Sequence, residues 1–123
     1  MTVRALDHVN IVTADLAASI AFYREVVGLV EGPRPAFPFP GAWLYCGERP
    51  VVHLMVREAA ATGSRGTGAI DHVAFEAEDF DGFRQRLAAR GIAHETRTVP
   101  GGAMRQIFLF DPDGVKIELN FRR

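Results

Sequence analysis

The sequence predicts an α+β fold built from two tandem copies of one strand–helix–strand–strand–strand unit. The phrase Leu-Asp-His-Val at 6–9 returns as Ile-Asp-His-Val at 70–73, 64 positions later. Each phrase is followed at the same offset by an aspartate, Asp15 or Asp79, that can cap the start of a helix. A residue that recurs at the same place in two copies of one unit will be related to its counterpart by pseudo-symmetry.

The last two strands of each predicted copy also correspond. A shift of 65 positions lays Trp-Leu-Tyr at 43–45 on Phe-Leu-Phe at 108–110, and it lays His53 on Glu118. Neither copy could easily bury its sheet alone, so we predict one domain over residues 1–123. Its predicted parts are module one at about 5–58, a linker rich in small residues at about 59–68, and module two at about 69–123.

The first copy begins with an alternating strand at residues 6–13, in which His8 and Asn10 share one face. Apolar residues then recur at helical spacing from Leu16 to Val27, and Gly28 stands where the helix should end. Further strands are predicted at 29–31, 42–46 and 51–57.

The segment at 32–41 contains four prolines, which exclude a helix or a central strand. It also carries Phe37 and Phe39, and loops with exposed aromatic residues often border a binding site. A stiff connector whose aromatic rings pack on the core is the alternative.

The second copy repeats this order. A strand is predicted at 70–77, and Asp79 should cap a helix that Gly91 ends. Strands follow at 92–97, 105–110 and 115–121, the last two joined by the turn sequence Asp-Pro-Asp-Gly at 111–114.

The bulk composition excludes several classes of function. The formal net charge is −1, so neither nucleic acid nor an anionic membrane is an expected partner. Cys46 is the only cysteine, which excludes an internal disulfide and fits a reducing compartment. There is no apolar signal core, and the longest apolar stretch is interrupted by charge. These observations predict a cytoplasmic protein.

Strand alternation places four metal-ligating side chains on the side of the sheets that the helices leave uncovered. In each first or last strand the apolar residues face the helix, which leaves these side chains on the opposite side. The four residues are His8, His53, His72 and Glu118. A single strand histidine is more often a structural residue, but four such groups at repeat-equivalent positions predict a shared centre.

Three imidazoles and a carboxylate suit one divalent metal such as Zn, Fe, Mn, Ni or Co. In a five- or six-coordinate ion this set leaves positions open for substrate. The alternative is a set of two histidines and one carboxylate with His53 unbound. Glu118 or His53 could then move a proton. Four candidate substrate-binding groups lie nearby: Asn10, Glu76, Arg105 and Lys116. Arg105 is included because the predicted hairpin pairs it with Asn120, although an arginine at the rim is an equally simple interpretation.

The chain resembles the vicinal oxygen chelate superfamily, which includes glyoxalase I, extradiol dioxygenases, fosfomycin-resistance enzymes and bleomycin-binding proteins. The matching pieces are the two His-containing phrases, Ala-Phe-Tyr-Arg-Glu-Val-Val-Gly-Leu at 21–29 and Phe-Asp-Pro-Asp-Gly-Val-Lys-Ile-Glu at 110–118. The resemblance implies two βαβββ modules whose sheets curl into a half-open barrel around one metal. It also implies a homodimer, in which each site is often built from modules of two chains.

By the family pattern, His8 and His72 are the first-strand ligands, Glu118 is the last-strand carboxylate, and His53 takes the remaining ligand place. The resemblance implies a metal-dependent lyase or isomerase of the glyoxalase type, acting on a small oxygenated metabolite. A histidine at position 53 departs from the carboxylate typical of glyoxalase I. The alternatives are an Fe(II) extradiol dioxygenase, a fosfomycin-type thiol transferase and a non-catalytic antibiotic- or ligand-binding protein.

Overall fold

The computed structural model of the chain describes residues 1–56 and 67–122. Most of the predicted linker at about 59–68 lies outside the described residues, as does Arg57, the predicted end of the fourth strand. The chain divides into two compact units, Met1–Ser64 and Arg65–Arg123. Each unit carries one copy of the repeat.

The first unit is a four-stranded sheet with one helix. Its sheet order is β1-β4-β3-β2, with β1 parallel to β4 and the other pairs antiparallel. The elements are β1 (Val9–Thr13), α1 (Leu16–Ala21), which continues into a π-helical segment (Phe22–Val27), β2 (Val30–Gly32), β3 (Gly41–Cys46) and β4 (Arg49–Val56).

Local sequence explains where the first helix begins and ends. The Asp15 carboxylate accepts a hydrogen bond from the backbone N–H of Ala18 at 3.0 Å, which satisfies a free donor of the first turn. Gly28 ends the helical run in a left-handed conformation at φ +96°, where a side chain would be strained. The single helix predicted up to Val27 is therefore present, but its second half is π-helical.

The second unit has the same order of elements and the same sheet topology. Its strands are arranged as β5-β8-β7-β6, with β5 parallel to β8 and the others antiparallel. The elements are β5 (His72–Glu76), α2 (Phe80–Ala89), β6 (Glu95–Thr98), β7 (Met104–Phe110) and β8 (Lys116–Arg122). Asp79 caps α2 by accepting from the N–H of Gly82 at 3.0 Å.

The α+β prediction with two copies of one unit is confirmed. The first strand of each copy begins later than predicted, so Leu6 and Ile70 precede β1 and β5 and are 81% and 65% exposed. Within the described residues each sheet is open and neither closes into a barrel.

Alternation along the strands separates a buried face from a second face in each unit. In the first unit Leu44, Val52 and Leu54 are almost completely buried. Ile107, Leu109, Ile117 and Leu119 are equally buried in the second. Each such side chain contributes roughly 1.5–3 kcal/mol of hydrophobic stabilisation. No helix in the described parts of the chain is long and apolar enough to span a membrane.

Candidate metal and substrate site

The observed strand register supports the predicted equivalence of His53 and Glu118. His53 pairs with Trp43 across β3 and β4, and Glu118 pairs with Phe108 across β7 and β8. Both residues lie between buried strand neighbours, so their side chains leave the sheet on the face opposite the helix. Each unit therefore carries one histidine before or at its first strand and one polar ligand candidate on its last strand.

In the first unit the two candidate ligands meet face to face. The rings of His8 and His53 are stacked with centroids 3.7 Å apart and planes 14° apart. His53 also stacks on Trp43, at 4.0 Å and 9°. His8 Nδ1 lies 2.6 Å from a carboxylate oxygen of Asp7, and this hydrogen bond is the main cause of a lowered pKa of Asp7.

The hydrogen bond of His53 determines which of its ring nitrogens is free. Nε2 lies 3.1 Å from the carbonyl oxygen of Pro50, and because a carbonyl only accepts, Nε2 must carry the proton. In the neutral ring Nδ1 is therefore unprotonated. Burial, and after it the charge of His8, lower the pKa of His53 below the ordinary value of 6.5. His53 is consequently a neutral base at neutral pH.

In the second unit the two candidate ligands meet edge to edge. His72 Nε2 lies 3.4 Å from Glu118 Oε1. On the other side of the ring, His72 Nδ1 lies 2.8 Å from a carboxylate oxygen of Asp71. This bond, followed by the charge of Lys116, lowers the pKa of Asp71. Asp71 thus holds the orientation of the imidazole, as a carboxylate behind a metal-binding histidine does.

A chain of side-chain amides holds the other oxygen of Glu118. Asn120 Nδ2 donates to Glu118 Oε2 at 2.9 Å, and Gln106 Nε2 donates to Asn120 Oδ1 at 3.1 Å. Glu118 and Asn120 are both only 9% exposed. The bond from Asn120 holds Oε2 and leaves Oε1 to face His72.

The His72–Glu118 pair fits half of a metal site. If the Nδ1 proton of neutral His72 lies on the Asp71 bond, a lone pair at Nε2 faces a carboxylate oxygen. Two such donors repel each other unless a proton or a metal cation lies between them. Metal–ligand distances of about 2.1 Å at a tetrahedral angle place two donors roughly 3.4 Å apart. In residues 1–56 and 67–122, no group of three or more His, Cys, Asp or Glu residues forms a metal-sized cluster. The structure thus describes two pairs of candidate ligands, and a shared centre stays a prediction.

The four predicted substrate-binding groups lie in different surroundings. Asn10 donates to Met55 Sδ at 3.0 Å. Lys116 lies 3.7 Å from Asp71 and above the Phe108 ring at 5.1 Å. Glu76 forms an exposed ion pair with Arg122 at 3.3 Å.

The prediction that Arg105 pairs with Asn120 is wrong. Arg105 pairs with Phe121, and Gln106 takes the place opposite Asn120. Arg105 consequently shares a strand face with buried Ile107 and lies over the Phe80 ring of α2 at 4.1 Å. The error is a shift of one residue, which moves a side chain to the other face of the sheet. The same shift is why the sequence analysis missed Gln106.

The proline-rich segment contributes one wall of a cleft on the same face as His53. The cleft has a volume of about 420 Å³. Its lining residues come from β1 and the two residues before it, from β3 and β4, and from the segment between β2 and β3: Asp7, His8, Asn10, Arg34, Phe37, Phe39, Trp43, His53, Leu54 and Met55. A cavity of this size holds a small metabolite.

Comparison with known proteins places the chain in a family. The Glyoxalase/Bleomycin resistance protein/Dioxygenase superfamily model matches residues 5–119. The chain is 29% identical to Glyoxylase I 4 of Arabidopsis thaliana over 94% of this chain and 69% of the relative. It is 32% identical to the glutathione transferase FosA of Serratia marcescens over 95% of this chain and 80% of the relative.

Solved structures share the fold. A glyoxylase/bleomycin resistance protein/dioxygenase domain from Frankia sp. EAN1pec superposes with a TM-score of 0.81 at 22% identity, covering 99% of this chain and 100% of that one. A mutant of the fosfomycin resistance protein FosX from Listeria monocytogenes, complexed with Mn(II), superposes with a TM-score of 0.78 at 18% identity, covering 99% and 95%. The chain belongs to the glyoxalase/bleomycin resistance protein/dioxygenase superfamily.

Proposed function

We propose that this protein is a metal-dependent glyoxalase-like enzyme, a lyase or isomerase that acts on a small oxygenated metabolite. The observation that carries the proposal is the His72–Glu118 pair, in which His72 Nε2 and Glu118 Oε1 lie 3.4 Å apart while Asp71 and Asn120 hold the other ring nitrogen and the other carboxylate oxygen. The similarity to Glyoxylase I 4 supports the same class of chemistry.

Three side chains are suited to hold the metal: His8, His72 and Glu118. Each histidine bonds its preceding aspartate through Nδ1, which leaves Nε2 for a metal ion. The ion would be Zn, Fe, Mn, Ni or Co. The similar FosX mutant structure contains Mn(II). When bound, the metal would stabilise negative charge that develops on a substrate oxygen.

His53 is suited to move the proton of the reaction. Its Nδ1 is unprotonated, and its lowered pKa keeps the ring neutral at working pH. Its ring is fixed between His8 and Trp43, so the free nitrogen has a defined direction. Glu118 is less suited to this role because Asn120 already occupies one of its oxygens.

The family resemblance further supports a homodimer in the cytoplasm that works on a small molecule without nucleic acid or membrane partners. We propose a single domain over 1–123 with modules at about 5–58 and 69–123. Each site could combine modules of one chain or of two, and size-exclusion chromatography with light scattering tests the dimer.

The test of this function is proton exchange at a substrate carbon in the absence of oxygen. The purified protein, loaded in turn with each of the five metals, would be incubated in D₂O with α-hydroxy ketones and with thiol adducts of α-oxoaldehydes. We expect deuterium incorporation by NMR for at least one substrate and metal, lost in the His72→Ala and His53→Gln variants. Equal incorporation by metal-free protein would overturn the proposal.

Two specific observations each favour a different reaction, and each reaction has its own test. The 32% identity to FosA favours thiol transfer, which incubation with fosfomycin and glutathione measures directly. The stacking of His53 between His8 and Trp43 favours a role for His53 outside the ligand set, which leaves two histidines and one carboxylate, the ligand set of non-haem iron oxygenases. If the Fe(II)-loaded protein consumed oxygen with a catechol, ring cleavage would be the reaction and the lyase proposal would be wrong.

A further inference from the structure

The cleft of the first unit is walled by flat side chains. His8, His53 and Trp43 form a continuous run of parallel rings with centroid spacings of 3.7 and 4.0 Å. Because His53 lies between the other two rings, a ligand ring can stack only on the outer face of His8 or of Trp43. Asn10 and Met55 complete the floor beside them and bond each other through the amide and the sulfur.

The segment between β2 and β3 places one positive charge beside these rings. Phe37 and Phe39 are stacked at 5.3 Å, and the Arg34 guanidinium lies 5.1 Å and 5.0 Å from their centroids. Arg34 Nη2 also donates to the carbonyl oxygen of Phe39 at 2.9 Å. A guanidinium has five N–H donors, so this one bond leaves others for a ligand.

The backbone of β3 leaves room for this arginine. A Cβ atom added at Gly41 would lie 2.9 Å from Arg34 Nη2, closer than side-chain atoms normally approach. The same Cβ atom would clash first with the backbone carbonyl oxygen of Leu54, so the pairing of β3 with β4 is the main reason for the glycine, and room for Arg34 is the second.

Phe37, on the opposite side of the cleft, does not extend the stack of His8, His53 and Trp43. Phe37 lies 6.4 Å from Trp43 at an angle of 48°, which is not a stacked arrangement, and it is 43% exposed. The Phe37 ring therefore lines the cleft without stacking on the indole ring of Trp43. The equivalent segment of the second unit, Val-Pro-Gly-Gly-Ala at 99–103, contains no aromatic residue.

We propose that this cleft binds the flat, conjugated part of an anionic ligand, with the ring against Trp43 and Phe37 and a carboxylate or enolate directed at Arg34. A flat group gains stacking that a saturated chain does not. Asp7, the one carboxylate among the lining residues, is bonded to His8, so Arg34 beside the rings favours an anionic ligand over a cationic one. The volume of about 420 Å³ accommodates one ring with a short side chain.

This inference names a substrate class for the proposed enzyme and rests on that function only in assigning the ligand as a substrate. Binding itself needs no metal, so it can be measured on the whole chain after treatment with a chelator. A failed activity assay together with intact binding would reject the proposed reaction and keep the cleft. Activity without binding of these ligands would reject the proposed ligand class of the cleft and keep the proposed reaction.

Trp43 is the only tryptophan, so its fluorescence reports on this cleft alone. We would titrate chelator-treated protein with trans-cinnamate and with two matched compounds: 3-cyclohexylpropionate, which keeps the carboxylate without the flat ring, and cinnamamide, which keeps the ring without the charge. Calorimetry on the same samples guards against light absorption by the ligand. We expect saturable quenching by cinnamate and binding about 5- to 10-fold weaker for each matched compound.

Two variants locate the contacts. Arg34→Gln should reduce the affinity for cinnamate to that for cinnamamide, and Phe37→Leu should weaken both flat ligands. Phe110→Leu is the control, because Phe110 is 60% exposed in the second unit and does not line the cleft. Equal affinity for the flat and the saturated acid, an unchanged Arg34→Gln variant, or the absence of binding would each overturn the proposal.

Discussion

The two units share one backbone plan, yet their helix-free faces carry different chemistry. The face of the first unit is a run of rings around His53, a residue whose lowered pKa follows mainly from burial. The face of the second is a hydrogen-bonded chain of polar groups around Glu118. His53 and Glu118 occupy equivalent positions in the two sheets. The topology therefore determines where each side chain lies, and the neighbouring residues determine what it contacts.

The register shows where the two faces diverge. Gly41 pairs with Met55 in the first unit, and at the equivalent place Gln106 pairs with Asn120 in the second. Met55 accepts only a weak bond from Asn10, whereas Asn120 orients a carboxylate. The first unit thus carries a less polar face, and the second carries a carboxylate oriented by hydrogen bonds.

The largest expected effect comes from replacing the candidate metal ligands of each unit by alanine. His72→Ala and Glu118→Ala should each weaken metal binding by more than about 100-fold, because outer partners alone contribute about 10–100-fold. His8→Ala should do the same. His53→Ala should change metal affinity by less than about tenfold, because we propose that the free Nδ1 of His53 moves a proton and does not bind the metal. Metal analysis and titration calorimetry measure these changes, with His94→Ala as the control. Full metal content in Glu118→Ala would show that His72 and Glu118 form an ordinary ion pair.

A second test asks whether the two sheets are equally stabilised by packing. Leu44 and Leu109 are equivalent and almost completely buried. Leu44→Ala and Leu109→Ala should each lower the free energy of unfolding by about 2–5 kcal/mol. Urea denaturation followed by circular dichroism measures both. A loss of about 2–5 kcal/mol in one variant with almost none in the other would contradict the equivalence of the two cores.

A third test concerns the amide chain behind Glu118. Asn120→Leu should weaken metal binding by about 10–100-fold, because it frees one carboxylate oxygen and leaves it unbonded. Gln106→Leu, one step further away, should have a smaller effect in the same direction. Asn10→Leu is the matched control in the first unit. If Asn10→Leu were as damaging as Asn120→Leu, the metal would not depend on the second unit in the way proposed.

The smallest expected effect is the pH dependence conferred by His53. Because its pKa is lower in the folded protein than in the unfolded chain, folding favours the neutral ring. This contribution to stability is complete above the unfolded value of 6.5 and is lost as the pH falls below it. Chelator-treated wild type should therefore lose more stability than His53→Gln between pH 7.5 and 5. Parallel losses in urea denaturation at the two pH values would contradict the lowered pKa.

Pattern reasoning predicted the elements well and the register less well. Strand alternation and the capping residues Asp15 and Asp79 were enough to place both helices. The 65-residue shift correctly matched His53 with Glu118. Arg105 was assigned to the wrong face because hairpin pairing was estimated from the turn, where an error of one residue inverts every side chain.

The sequence by itself determined the duplicated α+β plan and the candidate ligands, because periodicity and capping are local properties that repeat along a chain. Only the tertiary structure decided what those side chains contact. The ring contacts of His53, its bond to Pro50 and the bonds from Asn120 and Gln106 to Glu118 arise between strands. Such contacts depend on pairing register and side-chain direction, which no local pattern contains.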